Sequence, residues 1–99
     1  AGRSGVGPIQ NLDTTGFKTT FAAEVRDFDP HVAMEPKEAR KADRFTQFAV
    51  VAADQAMKHS GLGEVADPLR AGVIIGSGIG GMLTFEDQHG KFLKRGPMT

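Results

Sequence analysis

The first apolar pattern along the chain alternates with a period of two. Between positions 17 and 25, which are rich in threonine and phenylalanine, Phe21, Ala23 and Val25 alternate with the residues between them. Alternation of this kind is typical of a β-strand with one buried face. Pro30 lies just beyond, and proline both removes a backbone donor and keeps the preceding residue out of the helical region. The pattern therefore predicts a strand over residues 17–25.

The strongest predicted element is one long helix over residues 36–60. Pro36 suits a first helical turn, and no further glycine or proline occurs before Gly61, which is placed to act as a left-handed C-terminal cap. At 1.5 Å per residue this helix would be about 36 Å long. Val50 and Val51 lie off its apolar stripe, so we expect its C-terminal half to be buried on more than one side. The stripe itself consists of Phe45, Phe48, Ala49, Ala52, Ala53, Ala56 and Met57.

A second strand and a second helix follow. The run from Arg70 to Ile75 is β-branched and continuously apolar after the arginine, which is typical of a central strand covered on both faces. A glycine-rich turn spans residues 76–81, and helical spacing from Met82 to Lys94 predicts a last helix interrupted by Gly90. This order predicts an α/β fold. Because a buried central strand needs neighbouring strands and a second helical layer, we expect this chain to be an incomplete piece of one domain.

Composition excludes several kinds of protein. The chain has 12 Lys and Arg against 12 Asp and Glu, so no global charge would attract nucleic acid or an anionic membrane. It has no cysteine, which excludes disulfides, thiolate metal sites and cysteine-dependent catalysis by these residues. The first residues do not resemble a signal sequence, and the apolar run at 71–75 is far shorter than the roughly 20 residues of a membrane helix. We therefore expect a cytoplasmic location.

A basic cluster occupies the first two turns of the predicted long helix. Lys37, Arg40, Lys41 and Arg44 recur at spacings that place them on one helix edge. Cations near a helix N-terminus oppose the helix dipole, so helix stability does not explain them, whereas an acidic partner would. The alternative is a solvated face partly balanced by nearby acidic residues, and on pattern alone that alternative is the more frequent one.

The glycines of the turn allow two interpretations. Gly76, Gly78 and Gly81 match the G-x-G-x-x-G pattern of dinucleotide sites, but the confirming acidic residue would lie beyond Thr99. The alternative is a tight turn in which the backbone passes close to another group.

One short run of the chain contains side chains that are common metal ligands. Asp27, Asp29 and His31 form a D-x-D-x-H run, but no further ligand recurs at a recognised spacing, so we predict no metal site.

Several segments together resemble the β-ketoacyl-acyl-carrier-protein synthases, most closely the type II elongation enzymes. The most specific segments are the run K-E-A-R-K-A-D from Lys37 and the turn G-S-G-I-G-G from Gly76. The resemblance covers nearly the whole chain. It implies that residues 1–99 are part of the first half of a thiolase-like layered fold (α-β-α-β-α), without the nucleophile region, in a protein that is usually a homodimer.

The resemblance also implies an activity for the parent protein. In such acyltransferases a cysteine takes an acyl chain from its carrier protein, and the carbanion formed when malonyl-carrier-protein loses carbon dioxide attacks that thioester. None of the catalytic residues matches this chain, and His31, His59 and His89 receive no catalytic role, so the 99 residues alone are expected to be inactive. A polyketide ketosynthase or chain-length partner, a nucleotide-binding half-domain and an interaction module without activity are the alternatives.

Two groups of residues receive roles from the resemblance. Lys37, Arg40 and Lys41 would contact the acidic acyl-carrier protein, while Ile79 would line the pocket for the acyl chain. No cofactor is implied. A basic pair that the family often has after Gly-Pro is replaced here by Met98-Thr99, so no carrier contact is expected there. The backbone turn beside Ile79 would be formed by Gly76, Gly78, Gly80 and Gly81.

Overall fold

The structure is a computed structural model that describes residues 2–97. Two short strands, β1 (Gly7–Pro8) and β2 (Phe21–Ala22), form a two-stranded antiparallel sheet in which Gly7 faces Ala22 and Pro8 faces Phe21. Two 3₁₀ turns lie at Pro30–Val32 and Pro68–Arg70. The regular elements, in chain order, are β1 (Gly7–Pro8), β2 (Phe21–Ala22), α1 (Pro36–Lys41), α2 (Arg44–Ser60) and α3 (Met82–Arg95).

The predicted first strand is much shorter than the alternation indicated. Only Phe21–Ala22 pairs as a strand, because the opposite segment offers few backbone donors to a ladder. Proline at position 8 has no N–H, and the N–H groups of Gln10 and Asn11 donate to the Glu24 carboxylate at 3.0–3.1 Å. Side-chain contacts therefore replace part of the ladder in this hairpin.

The prediction of one continuous helix over residues 36–60 is wrong. The helix is interrupted at Ala42 and Asp43, whose backbone is extended, with ψ angles of 136° and 155°. The Gln47 side-chain amide donates to the Ala39 carbonyl at 2.8 Å. In a continuous helix this carbonyl would accept a backbone N–H of the next turn, so the side chain replaces that hydrogen bond. No glycine or proline marks this break, which is stabilised by contacts between residues distant in sequence. The predicted cap at Gly61 is confirmed, with a φ of 69°.

The predicted strand over 70–75 is not formed by residues 2–97. A strand requires a hydrogen-bonded neighbour, and the described part of the chain places none beside it, so Ile74 is 99% exposed. The last helix is confirmed as α3, and it continues through Gly90 instead of being interrupted there. Gly96, with a φ of 74°, ends it.

The described residues enclose very little core. Ala39 and Val51, at 4% and 6% exposure, are the buried apolar residues of the described chain, whereas Val50 is exposed. The radius of gyration is 17.9 Å, against roughly 13 Å for a compact domain of this length. Residues 2–97 thus combine helices with a small sheet and leave most of their apolar surface uncovered; the layered arrangement stays a prediction.

Candidate functional site

Helix α1 presents three of the predicted basic residues on its outer side. Lys37, Arg40 and Lys41 are exposed, and none of them makes an ion pair within residues 2–97. Pro36 starts the helix, and its opposite face is fixed by the buried side chain of Ala39. Burial of that one position keeps the three cations directed outward.

Two of the three cations do not oppose the helix dipole, which corrects the prediction made from a longer helix. Because α1 ends at Lys41, Arg40 and Lys41 lie in its last turn, where the helix dipole favours positive charge. Helix stability therefore accommodates these cations instead of opposing them. Their exposure and clustering remain as the features that fit an acidic partner.

We call the exposed side of α1 that carries Lys37, Arg40 and Lys41 the basic edge. Arg44 does not belong to it, because the helix is interrupted before Arg44, which is the first residue of α2. Its guanidinium lies over two aromatic rings, 5.6 Å from the centroid of Phe28 and 4.9 Å from that of Phe48. The two rings meet edge to face at 4.7 Å. One guanidinium nitrogen, Nη2, also donates to the Val25 carbonyl at 3.4 Å. This arginine is therefore used to hold the segment before the first 3₁₀ turn against α2.

The glycine turn approaches the start of α2 very closely. Gly80 has a φ of 78°, and a Cβ there would lie 3.3 Å from the Phe45 ring. A Cβ on Gly81 would lie only 2.7 Å from the carboxylate of Asp43. Gly76 and Gly78 differ, because a Cβ on either would meet no atom of the described chain within 4 Å.

Ile79 lies at the surface of the described chain and is 82% exposed. The residues that follow Ile79 in the chain line a small cavity of about 250 Å³, which lies between the first turn of α2 and the glycine turn. The cavity is lined by Asp43, Phe45 and Phe48 on one side and by residues 80–84 on the other. Lys37, Arg40 and Lys41 do not line this cavity. The predicted carrier-binding residues and the predicted pocket residue therefore do not share one cavity in the described chain.

Asp43 and Thr84 are two residues that the sequence reasoning did not assign to the site. The Thr84 hydroxyl donates to the Asp43 carboxylate, which connects the α1–α2 break to the first turn of α3. A negative charge is favourable at a helix N-terminus, and a dinucleotide would have to place its pyrophosphate there. The carboxylate of Asp43 would repel such a ligand. This arrangement argues against the nucleotide-binding interpretation of the glycine pattern.

The remaining candidates have local roles or lie outside the structure. The Asp29 carboxylate accepts the His31 backbone N–H at 2.9 Å, and His89 stacks on Phe85 with ring centroids 5.9 Å apart. Within positions 2–97, the helices are too short or too polar to cross a membrane. The prediction about Met98-Thr99 falls outside the described residues.

Comparison with known proteins establishes the family. Residues 1–98 match the family described as "Beta-ketoacyl synthase, N-terminal domain", and the chain belongs to that family. This confirms the resemblance found in its motifs.

Individual relatives share one description. The chain is 50% identical to the 3-oxoacyl-[acyl-carrier-protein] synthase 2 of Coxiella burnetii, over 98% of this chain and 24% of that protein. Identity to the synthases of the same description is 46% for Vibrio cholerae and 43% for Staphylococcus aureus, over 98% and 97% of this chain and 24% of each relative. The chain thus spans about a quarter of the length of the curated relatives it matches.

Proposed function

We propose that this chain is part of a 3-oxoacyl-[acyl-carrier-protein] synthase that elongates fatty acyl chains. The parent enzyme would condense an acyl thioester with malonyl-carrier-protein, with loss of carbon dioxide. The observation that supports this most is the 50% identity to a synthase of that description over 98% of the chain. These residues contain no cysteine, so the nucleophile would come from elsewhere in the parent enzyme. The chain itself would contribute substrate-handling residues.

The distribution of apolar surface supports a place inside a larger layered fold. Helix α2 and the run at 70–75 expose apolar side chains that would be covered in a thiolase-like α-β-α-β-α arrangement. Ile74, at 99% exposure, has the β-branched side chain typical of a central strand. In this proposal residues 1–99 form part of the N-terminal ketosynthase domain. The homodimer and the cytoplasmic location stay predictions.

The basic edge of α1 is proposed to bind the acidic acyl-carrier protein. Lys37, Arg40 and Lys41 are exposed cations within two turns of one helix, which suits reversible recognition of a negatively charged surface. Each exposed ion pair contributes roughly 0.2–1 kcal/mol, so reversing all three charges should weaken binding by about 0.6–3 kcal/mol, or roughly 3- to 150-fold.

The test of this surface is carrier-protein affinity in the full-length enzyme. Variants Lys37→Glu, Arg40→Glu and Lys41→Glu, singly and together, are measured by calorimetry at two salt concentrations. We expect lower affinity and a weaker dependence on salt. Lys18→Glu is the matched control, because Lys18 is also an exposed cation but belongs to a loop and not to α1. Equal affinities for the triple variant and the control would contradict the assignment.

Ile79 is proposed to form part of the wall of the acyl pocket. Its apolar side chain is exposed beside the glycine turn, where a substrate tail or another part of the enzyme could contact it. Ile79→Phe should shift the products towards shorter chains and Ile79→Ala towards longer ones. Chain lengths are measured by mass spectrometry of the acyl-carrier-protein products. If both variants give the same product distribution as the wild type, Ile79 does not form part of the pocket wall.

The polyketide alternatives share much of the sequence pattern and differ in their reaction product. With fatty acyl- and malonyl-carrier-protein supplied, the proposed enzyme releases a single 3-oxoacyl product. An inactive chain-length partner or interaction module would release none. The names of the relatives favour the fatty acid enzyme.

A further inference from the structure

We propose that Asp43 is a positioning residue that fixes the glycine turn next to Ile79, and so sets which acyl chains the pocket accepts. This inference rests on the proposed function, because it assumes that Ile79 contacts the acyl chain. It assigns Asp43 no contact with substrate. The residue would act by holding the backbone of the turn in place.

The side chain of Asp43 is not used in the way its position suggests. Asp43 is the N-cap residue of α2, a position where aspartate usually accepts a backbone N–H of its own helix. Here it makes no such cap bond. Its carboxylate accepts the hydroxyl of Thr84 instead, in the first turn of α3. The hydrogen bond that would stabilise α2 is thus replaced by one that connects α2 to the turn and helix following Ile79.

At Gly81 a side chain would meet the Asp43 carboxylate, whereas the backbone conformation itself would tolerate one. Gly81 has φ and ψ angles of −62° and 57°, and the Met82 N–H donates to the Gly80 carbonyl at 2.7 Å, which together describe an inverse γ-turn. L-residues adopt this conformation readily. A Cβ at position 81 would nevertheless lie 2.7 Å from the carboxylate carbon and from both oxygens of Asp43.

Gly80 provides the contrast within the same turn. Its φ of 78° is in the left-handed region that favours glycine, so its identity follows from the backbone conformation. A side chain would therefore be unfavourable at these two neighbouring positions for different reasons. Gly80 allows the turn to form, and Gly81 allows the turn to pack against Asp43.

The path from Asp43 to Ile79 is short. Asp43 contacts the turn at Gly81, and Ile79 lies two residues earlier in the same turn. A displacement of Gly81 away from the carboxylate would therefore shift Ile79 as well. Asp43 makes no ion pair within residues 2–97, and the Thr84 hydroxyl is the group there that donates to its carboxylate.

The test uses the full-length enzyme and compares kcat/KM for long and short acyl substrates. Thr84→Val keeps the side-chain shape but removes the hydroxyl, and Asp43→Ala removes the carboxylate. Each should change the long-to-short ratio by about two- to tenfold, the effect of one hydrogen bond. The double variant should show no more change than Asp43→Ala alone, because both changes remove one contact. Thr84→Ser, which restores the hydroxyl, should return the ratio to that of the wild type.

A second perturbation tests the same contact from the other side. Gly81→Ala should shift the ratio in the wild type, but it should add nothing in the Asp43→Ala background, where the obstructing carboxylate is gone. Gly90→Ala, a glycine in the middle of α3 with open space around it, is the control and should leave the ratio unchanged.

The possible outcomes separate this inference from the proposed function. If Ile79→Phe shifts the ratio but the Asp43 and Thr84 variants do not, the positioning role is refuted and the pocket remains. If Gly81→Ala has the same effect with and without the carboxylate, the role of Asp43 is refuted as well. If Ile79→Phe itself has no effect, the pocket assignment fails and this inference fails with it.

Discussion

Replacing Arg44 tests whether this arginine has a structural role or belongs to the basic edge that we propose binds the carrier protein. Its spacing from Lys41 suggested the edge, but its guanidinium lies over the rings of Phe28 and Phe48 and donates to the Val25 carbonyl. Arg44→Ala should therefore loosen the segment that these contacts hold against α2. We expect little effect on carrier-protein binding.

The magnitude follows from the two ring contacts. A cation over an aromatic ring at an exposed site contributes about 0.5–1 kcal/mol, and Arg44 lies over two rings, at 5.6 and 4.9 Å. The hydrogen bond to Val25, at 3.4 Å, is long and adds little. The local loss of stability should thus be about 1–2 kcal/mol, which corresponds to opening that is roughly 5- to 30-fold more frequent.

Hydrogen–deuterium exchange of the full-length protein measures this opening directly. The amides to follow are those of Ala33 and Met34, which donate to the Pro30 carbonyl at 3.2 and 3.0 Å. Their exchange should accelerate 5- to 30-fold in Arg44→Ala and less in Arg44→Lys, which keeps the charge but not the planar group. The amide of Phe85, in α3, is the internal control.

One result would refute this reasoning. If exchange at Ala33 and Met34 is unchanged, and carrier-protein affinity falls as far in Arg44→Ala as in Arg40→Ala, then Arg44 acts as part of the basic edge. Its contacts with the rings would then contribute no stability. We expect instead that the affinity of Arg44→Ala stays within about twofold of the wild type, the change expected when no direct charge pair is lost.

Two further predictions concern α3 and the hairpin. Gly90→Ala should raise the free energy of unfolding by about 0.5–1 kcal/mol, because alanine favours a helix interior and the site is open; a lower denaturant midpoint would contradict this. The backbone N–H groups of Asn11 and Gln10 lower the pKa of Glu24 below its ordinary value. The charged form therefore stabilises the hairpin above that ordinary pKa, and the contribution disappears as the pH falls through the lowered one. The stability difference between the wild type and Glu24→Gln should accordingly shrink from pH 6 to pH 3 in urea unfolding, and a difference that stays constant would show that the carboxylate charge is not involved.

The sequence predicted those features that depend on a residue's own conformational preferences. Gly61 ends α2 in the left-handed conformation, and Pro36 begins α1, as their chemistry requires. The break at Ala42 and Asp43 was missed, because neither residue interrupts a helix by itself and an aspartate favoured at a helix N-cap is also tolerated inside a helix. It depends on Gln47 and Thr84, whose side chains reach this point only in the folded chain.

The apolar run at 70–75 shows a different limit of sequence reasoning. Its apolar pattern indicates a segment that is buried on both faces. Whether it is buried, however, depends on the elements that pack against it and not on the segment alone. Pairing also needs a partner strand, which residues 2–97 do not place beside it. The prediction of the site residues also depended on structure that the sequence pattern does not contain. Spacing put Arg44 on the basic edge only on the assumption of a continuous helix, and no local signal indicated the contact between Asp43 and Gly81.

The shortness of α1 has a consequence for any attempt to imitate or block this surface. A helix of six residues is far below the roughly 12–15 at which an isolated helix becomes marginally stable in water. Its shape depends on the burial of Ala39 and on the side-chain amide of Gln47 at its end. A linear peptide copied from residues 35–42 would lack both supports and would present its cations in no fixed arrangement. A useful mimic would need a covalent staple on the face that Ala39 occupies, so that the opposite face remains free for the proposed partner.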